Sequence, residues 1–269
     1  MRKVFYILFI VGLLCVGCEF KLRNADLEES EHEVEVERYD RIESRYLTTG
    51  DFAALQQMST GYPMQTRALI EDVLQLGDVN EPNINNTFLK FYQDSLLQEI
   101  ISDVQVQYAK MDDINEELSK AFGNLKEILP EAETPTIYAQ IGALTQSIVV
   151  DDKAVGICLD KYLGKDYPIY KRYYTEEQRR QMTREYIVPD CITFYILSLC
   201  QIKNIDKLST FQRDIHIGCI MWVANKTLGK KFFKTRYVDI VEKYMKQENH
   251  QSIKELLYTP DFKALEKLK

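Results

Sequence analysis

Histidine is scarce. There are three in 269 residues, at positions 32, 216 and 250, and no two are four residues apart. A zinc site built on paired imidazoles along one helical face therefore has no ligands to draw on. Glycine and proline are also few, at 11 and 7, which excludes a flexible Gly/Ser linker or a low-complexity array. No internal repeat is visible. Lys and Arg total 34 against 41 Asp and Glu, a net charge of -7, which argues against a nucleic-acid partner. A Gly-rich loop for phosphate, a basic groove and a Ser/His/Asp set are missing too. What is present is 45% hydrophobic and 28% charged residues, ordinary for a globular chain, at a length that allows one large domain or two small ones.

Charge is unevenly placed. Residues 19–40 hold nine acids and three bases, whereas 226–269 hold eleven bases and six acids. Such asymmetry marks either a partner surface or two solvated faces. Ahead of the acidic stretch stands "MRKVFYILFIVGLLCVGCEF". Arg2 and Lys3 form a positive start. The uncharged apolar run at 4–16 is too short to span a bilayer comfortably, the pattern of a secretory signal. It ends in Gly17-Cys18, similar to a lipobox, in which the cysteine becomes the acylated N-terminus. Cys15 is excluded as that residue because Leu14 would occupy the small-residue position. The alternative is a plain secreted protein cleaved near Gly17. Several palmitate-type chains on Cys18 would hold the protein on a membrane, since each buried methylene contributes about 0.8 kcal/mol. Residues 18–40 then read as a mobile acidic tether. The remaining cysteines, Cys158, Cys191, Cys200 and Cys219, lie in apolar surroundings and read as buried thiols, in a compartment that permits disulfides.

The mature chain changes character along its length. "VEVERYD" alternates like a short strand. Apolar spacing then predicts helices over "YPMQTRALIEDVLQLG", closed by Gly77, over "INNTFLKFYQDSLLQEIISDVQVQYAK" with a break near Asp94, and over "MDDINEELSKAFGNLKEILP". "TPTIYAQIGA", "LTQSIVVDD" and "KAVGICLD" predict three strands. A loop dense in tyrosine follows. Tyr162, Tyr167, Tyr170, Tyr173 and Tyr174 suit a recognition surface and a core equally. Asp160 is expected to cap the turn of "DKYLG" and Thr175 a helix carrying Glu185. His216 is expected to be a hydrogen-bonded core residue, and Ser209 to cap the helix containing it. Pro189 bends or restarts the chain before the buried segment "CITFYILSLC".

"QMTREYIVPD", residues 181–190, would contain H-E-x-x-H if Arg184 and Val188 were histidines. The glutamate, Glu185, stands in place without its metal ligands, so it has no bound water to activate. The lipobox, the helical half, the strands, "LDKYLGKDYPIYKRYY" and "REYIVPD" occur in the order found in gliding-motility lipoproteins of the GldB type, which the chain resembles throughout its mature length. That resemblance implies an envelope lipoprotein related to gliding or secretion machinery. It further implies similarity to zinc metallopeptidases in which an edge strand, here "AVGICLD", precedes the metal-binding helix. Arg184, Glu185 and Val188 would be its vestigial site.

The resulting expectation is an α+β fold, mostly helical with a small β-sheet, zincin-like without the zinc site. It comprises a lipoprotein signal peptide (1–17), an acidic tether (18–40) and one GldB-like domain (41–269). No catalytic residue, metal or cofactor is expected. The expected role is that of a non-catalytic scaffold or assembly factor, anchored through Cys18, facing the periplasm and bound to envelope proteins. The alternative is a divergent envelope peptidase or cell-wall hydrolase.

Overall fold

The computed structural model describes residues 34–151, 153–202, 205–247 and 251–269. Its first residues already belong to the core. Val34, Val36, Tyr39 and Asp40 are buried, so the folded unit includes at least seven residues that the boundary at 41 assigned to a tether. The alternation of "VEVERYD" does give extended chain. It does not give a full strand, because the Val34 and Val36 N–H groups donate to Ser119 Oγ (2.8 Å) and Asn115 Oδ1 (3.1 Å) instead of to a ladder. Only Glu37 is bridged to the sheet among the described residues.

Helix α1 (Tyr39–Thr49) ends at Gly50, whose φ of 69° suits glycine. Asp51 caps α2 (Phe52–Gly61) by accepting from the Ala53 N–H. Helix α3 (Pro63–Arg67) runs into a π-helical turn, Ala68–Val73, that buries Leu69, Ile70 and Val73. The regular helix expected there is thus widened, and left-handed Gln75 and Gly77 close it. The next expected helix breaks as anticipated into α4 (Ile84–Phe91) and α5 (Ser95–Gln107). The Asp94 carboxylate accepts from the Leu96 and Leu97 N–H groups at that break. Helix α6 (Asp112–Ile128) buries Ile114, Leu118, Phe122 and Leu125 on one face.

Three strands follow: β1 (Thr136–Gln140), β2 (Ile148–Asp151) and β3 (Ala154–Cys158). Their order is β1-β3-β2, with β3 parallel to β1 and antiparallel to β2. The expectation that "AVGICLD" is an edge strand is therefore corrected: β3 is central and hydrogen-bonded on both sides. Its Gly156 lies opposite Tyr138, where an added Cβ would come within 2.5 Å of the ring.

Two short helices, α7 (Tyr170–Tyr173) and α8 (Glu176–Arg179), lead to a 3₁₀ turn, Arg184–Tyr186, and then to α9 (Ile187–Leu199). Pro189 lies in the first turn of α9, where a missing N–H leaves no helical bond unmade. A reciprocal cap between Ser209 and Gln212 starts α10 (Thr210–Thr227). Gly218 on α10 lets α11 (Arg236–Gln247) approach closely; a Cβ there would lie 2.7 Å from Tyr237 Cβ. The short helices α12 (Ile253–Tyr258) and α13 (Phe262–Glu266) follow. The fold is α+β and mostly helical, with one small sheet. Cys158, Cys191, Cys200 and Cys219 are buried free thiols.

Candidate functional site

The segment 181–190 does not form the helix expected of it. Thr175 makes a capping box with Gln178, but the helix it starts is only four residues long and stops before Glu185. Arg184 and Glu185 lie in the 3₁₀ turn, and Val188 lies in α9. Arg184 grips Asp113 on α6 with two bonds, Nε to Oδ2 at 2.9 Å and Nη2 to Oδ1 at 2.7 Å. It also donates to the Lys110 carbonyl (2.9 Å) and stacks over the Tyr108 ring at 4.9 Å. Val188 is packed in the core. Glu185 is exposed, and a hydrogen bond from the Thr183 side chain holds its carboxyl below the usual range. The three positions therefore face different surroundings: an ion pair for Arg184, solvent for Glu185 and the core for Val188.

Of the five tyrosines, Tyr162 and Tyr170 are buried, Tyr167 and Tyr174 are half-buried and Tyr173 is exposed, so the set divides between core and surface. The buried Tyr162 hydroxyl donates to Asp190 Oδ2 (2.8 Å), and its carbonyl accepts from Tyr108 Oη (2.6 Å). Buried Tyr170 donates to the Asp160 carbonyl and accepts from the Leu163 N–H. Tyr167 donates to Asp103 Oδ2 (2.8 Å), and Tyr174 to the Leu144 carbonyl (3.0 Å). Tyr173 is the exposed member of the five. Residues 159–174 have little regular secondary structure, so their main-chain groups need partners from side chains. Tyrosine supplies these while its ring fills the core.

A set of buried acids was not anticipated. Asp160 is completely buried and does not cap its own turn. It accepts instead from the N–H groups of Gly142 (2.8 Å) and Leu144 (2.5 Å). Glu43 of α1, equally buried, accepts from the Ile141 N–H at 2.9 Å. Two carboxyls thus hold the loop after β1, in which Ala143 and Leu144 adopt left-handed φ values of 50° and 62°. Burial raises the Glu43 carboxyl well above its ordinary range, and burial raises Asp160 too, against the pull of its backbone donors. Burial beside Tyr162 pushes Asp190 up to about 7. His216 is buried in α10, and burial lowers its pKa.

An open concavity of about 650 Å³ lies elsewhere, between residues 34–37 and the stretch from Pro130 to Ile137. Its floor is formed by buried Val34, Ala132, Pro135 and Ile137, and its rim by exposed Glu35, Glu37, Glu133 and Lys126. Among the described residues, no group of three His, Cys, Asp or Glu side chains is arranged to hold a metal, and no helix is long and apolar enough to cross a membrane. Cys18, His32 and His250 lie outside the described residues.

These features define a mostly helical α+β domain in which buried acids and tyrosines secure irregular chain around a small sheet. The model of the family described as gliding motility protein GldB matches residues 21–234, and the chain belongs to that family. Membership makes it a gliding-motility-related lipoprotein of the cell envelope. Searches of curated proteins and of solved structures found no match.

Proposed function

We propose that the protein is a non-catalytic assembly factor or scaffold of an envelope motility or secretion apparatus, held on a membrane by acyl chains on Cys18 and facing the periplasm. The observation that supports this is the use made of positions 184 and 188. Arg184 ties the 3₁₀ turn to α6, and Val188 fills the core, so both positions serve the framework. Glu185 faces solvent beside them and has no buried partner to act on.

The test is complementation of a strain lacking the chain, combined with elemental analysis of the purified protein. Glu185→Gln should restore the envelope phenotype as fully as the parent, and dialysis against zinc should leave far less than one metal per chain. A full equivalent of zinc together with loss of function in Glu185→Gln would make the protein an enzyme. Cys18→Ala should lose fatty-acid labelling and leave the membrane fraction; continued labelling of that variant would move the anchor elsewhere.

A further inference from the structure

We propose that the groove between residues 34–37 and 130–137 is a docking site for an extended, basic segment of a partner polypeptide, which pairs edge-on with β1. The inference begins with strand order. Strand β1 is flanked by β3 on one side. On its other side, the bridge among the described residues is Glu37 with Tyr138, made by the Glu37 N–H to the Ile137 carbonyl (2.8 Å) and the Ala139 N–H to the Glu37 carbonyl (2.9 Å). Before that bridge the two extended segments part. Val34 and Val36 spend their N–H groups on Ser119 and Asn115 of α6, so this chain leans on the helix, and among the described residues it makes no backbone bond to β1 ahead of Glu37. The space between them is the groove.

A partly covered strand edge attracts another strand, because its main-chain groups need partners. Recognition of this kind takes affinity from backbone hydrogen bonds and specificity from alternate side chains. The groove supplies that alternation. Its floor of Val34, Ala132, Pro135 and Ile137 suits apolar side chains, and its rim carries Glu35, Glu37 and Glu133 against Lys126. A segment alternating apolar residues with Lys or Arg meets both. The chain's own residues just before Val34, with Glu28, Glu29, Glu31 and Glu33, have the wrong sign for this rim. Its own basic stretch, 226–269, is largely folded into α11, α12 and α13. A second polypeptide is left as the occupant.

The inference rests on the assembly reading above, and its test is separable from it. Fluorescence anisotropy on the full chain in detergent would compare three short labelled peptides: alternating Lys and Val, the same peptide N-methylated at alternate backbone nitrogens, and alternating Glu and Val. The first should bind, and the other two should be at least about tenfold weaker, roughly 1.4 kcal/mol. Glu35→Lys combined with Glu133→Lys, both at exposed positions, should reverse the preference between the Lys and Glu peptides. Failure of the Lys peptide to bind, equal binding of the N-methylated peptide, or an unchanged preference in the double variant would each overturn the proposal. If the peptide fails while Glu185→Gln still complements, the groove assignment falls alone. If the peptide binds while zinc and Glu185 prove essential, the assembly reading falls alone.

Discussion

At the scale of single residues, the buried acids set the pH response. Asp190 is pushed up to about 7 chiefly by burial, against the Tyr162 hydroxyl that donates to it. A carboxyl whose folded pKa exceeds its unfolded value binds more protons in the folded state. Its effect on stability is neutral below about pH 4, grows unfavourable as pH rises toward 7, and is constant above. Asp190→Asn keeps an acceptor for Tyr162 and removes the ionisation. Urea melts of parent and variant should diverge between pH 4.5 and 7.5, the variant becoming relatively more stable by about 2–4 kcal/mol. Parallel curves would show that Asp190 is ionised in the fold without penalty. None of the internal roles of Asp40, Glu43 and Asp160 is legible in sequence. Asp40 and Glu43 sit in a polar stretch resembling a solvated surface and Asp160 reads as a turn cap, and burial depends on the loop or helix that later folds over each.

At the scale of elements, two glycines offer a matched contrast. Gly218 on α10 faces Tyr237, with Cβ at 2.7 Å and backbone carbon at 3.1 Å from an added methyl, and neither atom can swing aside. Gly123 on α6 meets nothing within 4 Å. Gly123→Ala should therefore stabilise by about 0.5–1 kcal/mol through helix propensity. Gly218→Ala should destabilise by about 1–2 kcal/mol, overpacking outweighing the same gain. Thermal melts of the two variants check both signs. Elements with local signals were readable: the Asp94 break, the Ser209 cap and the three strands. Helices α1 and α2 gave little sign of themselves, because α1 buries Asp40, Glu43 and Ser44 beside Tyr39, Tyr46 and Leu47 and so breaks the apolar periodicity. The central place of β3 was hidden as well, since strand order is set by pairing with distant chain.

At the scale of the whole molecule, the folded unit begins before the boundary at 41, with the alternating "VEVERYD". Val34, Val36 and Tyr39 are buried, and burying each such side chain contributes roughly 1.5–3 kcal/mol. Their sum is comparable to the about 5–15 kcal/mol that holds a typical domain folded. A chain trimmed to start at Val34 should melt cooperatively close to the parent. One trimmed to start at Arg41 should be largely unfolded or aggregated by circular dichroism and gel filtration. Equal stability of the two would show that these residues only lie against the domain. The position of Val34 also sets a length. It lines the groove, and under the proposed anchorage about sixteen residues join it to Cys18. No conformation stretches such a segment beyond about 55 Å. Under both proposals, a partner's basic strand reaches the groove only within that distance of the anchored residue.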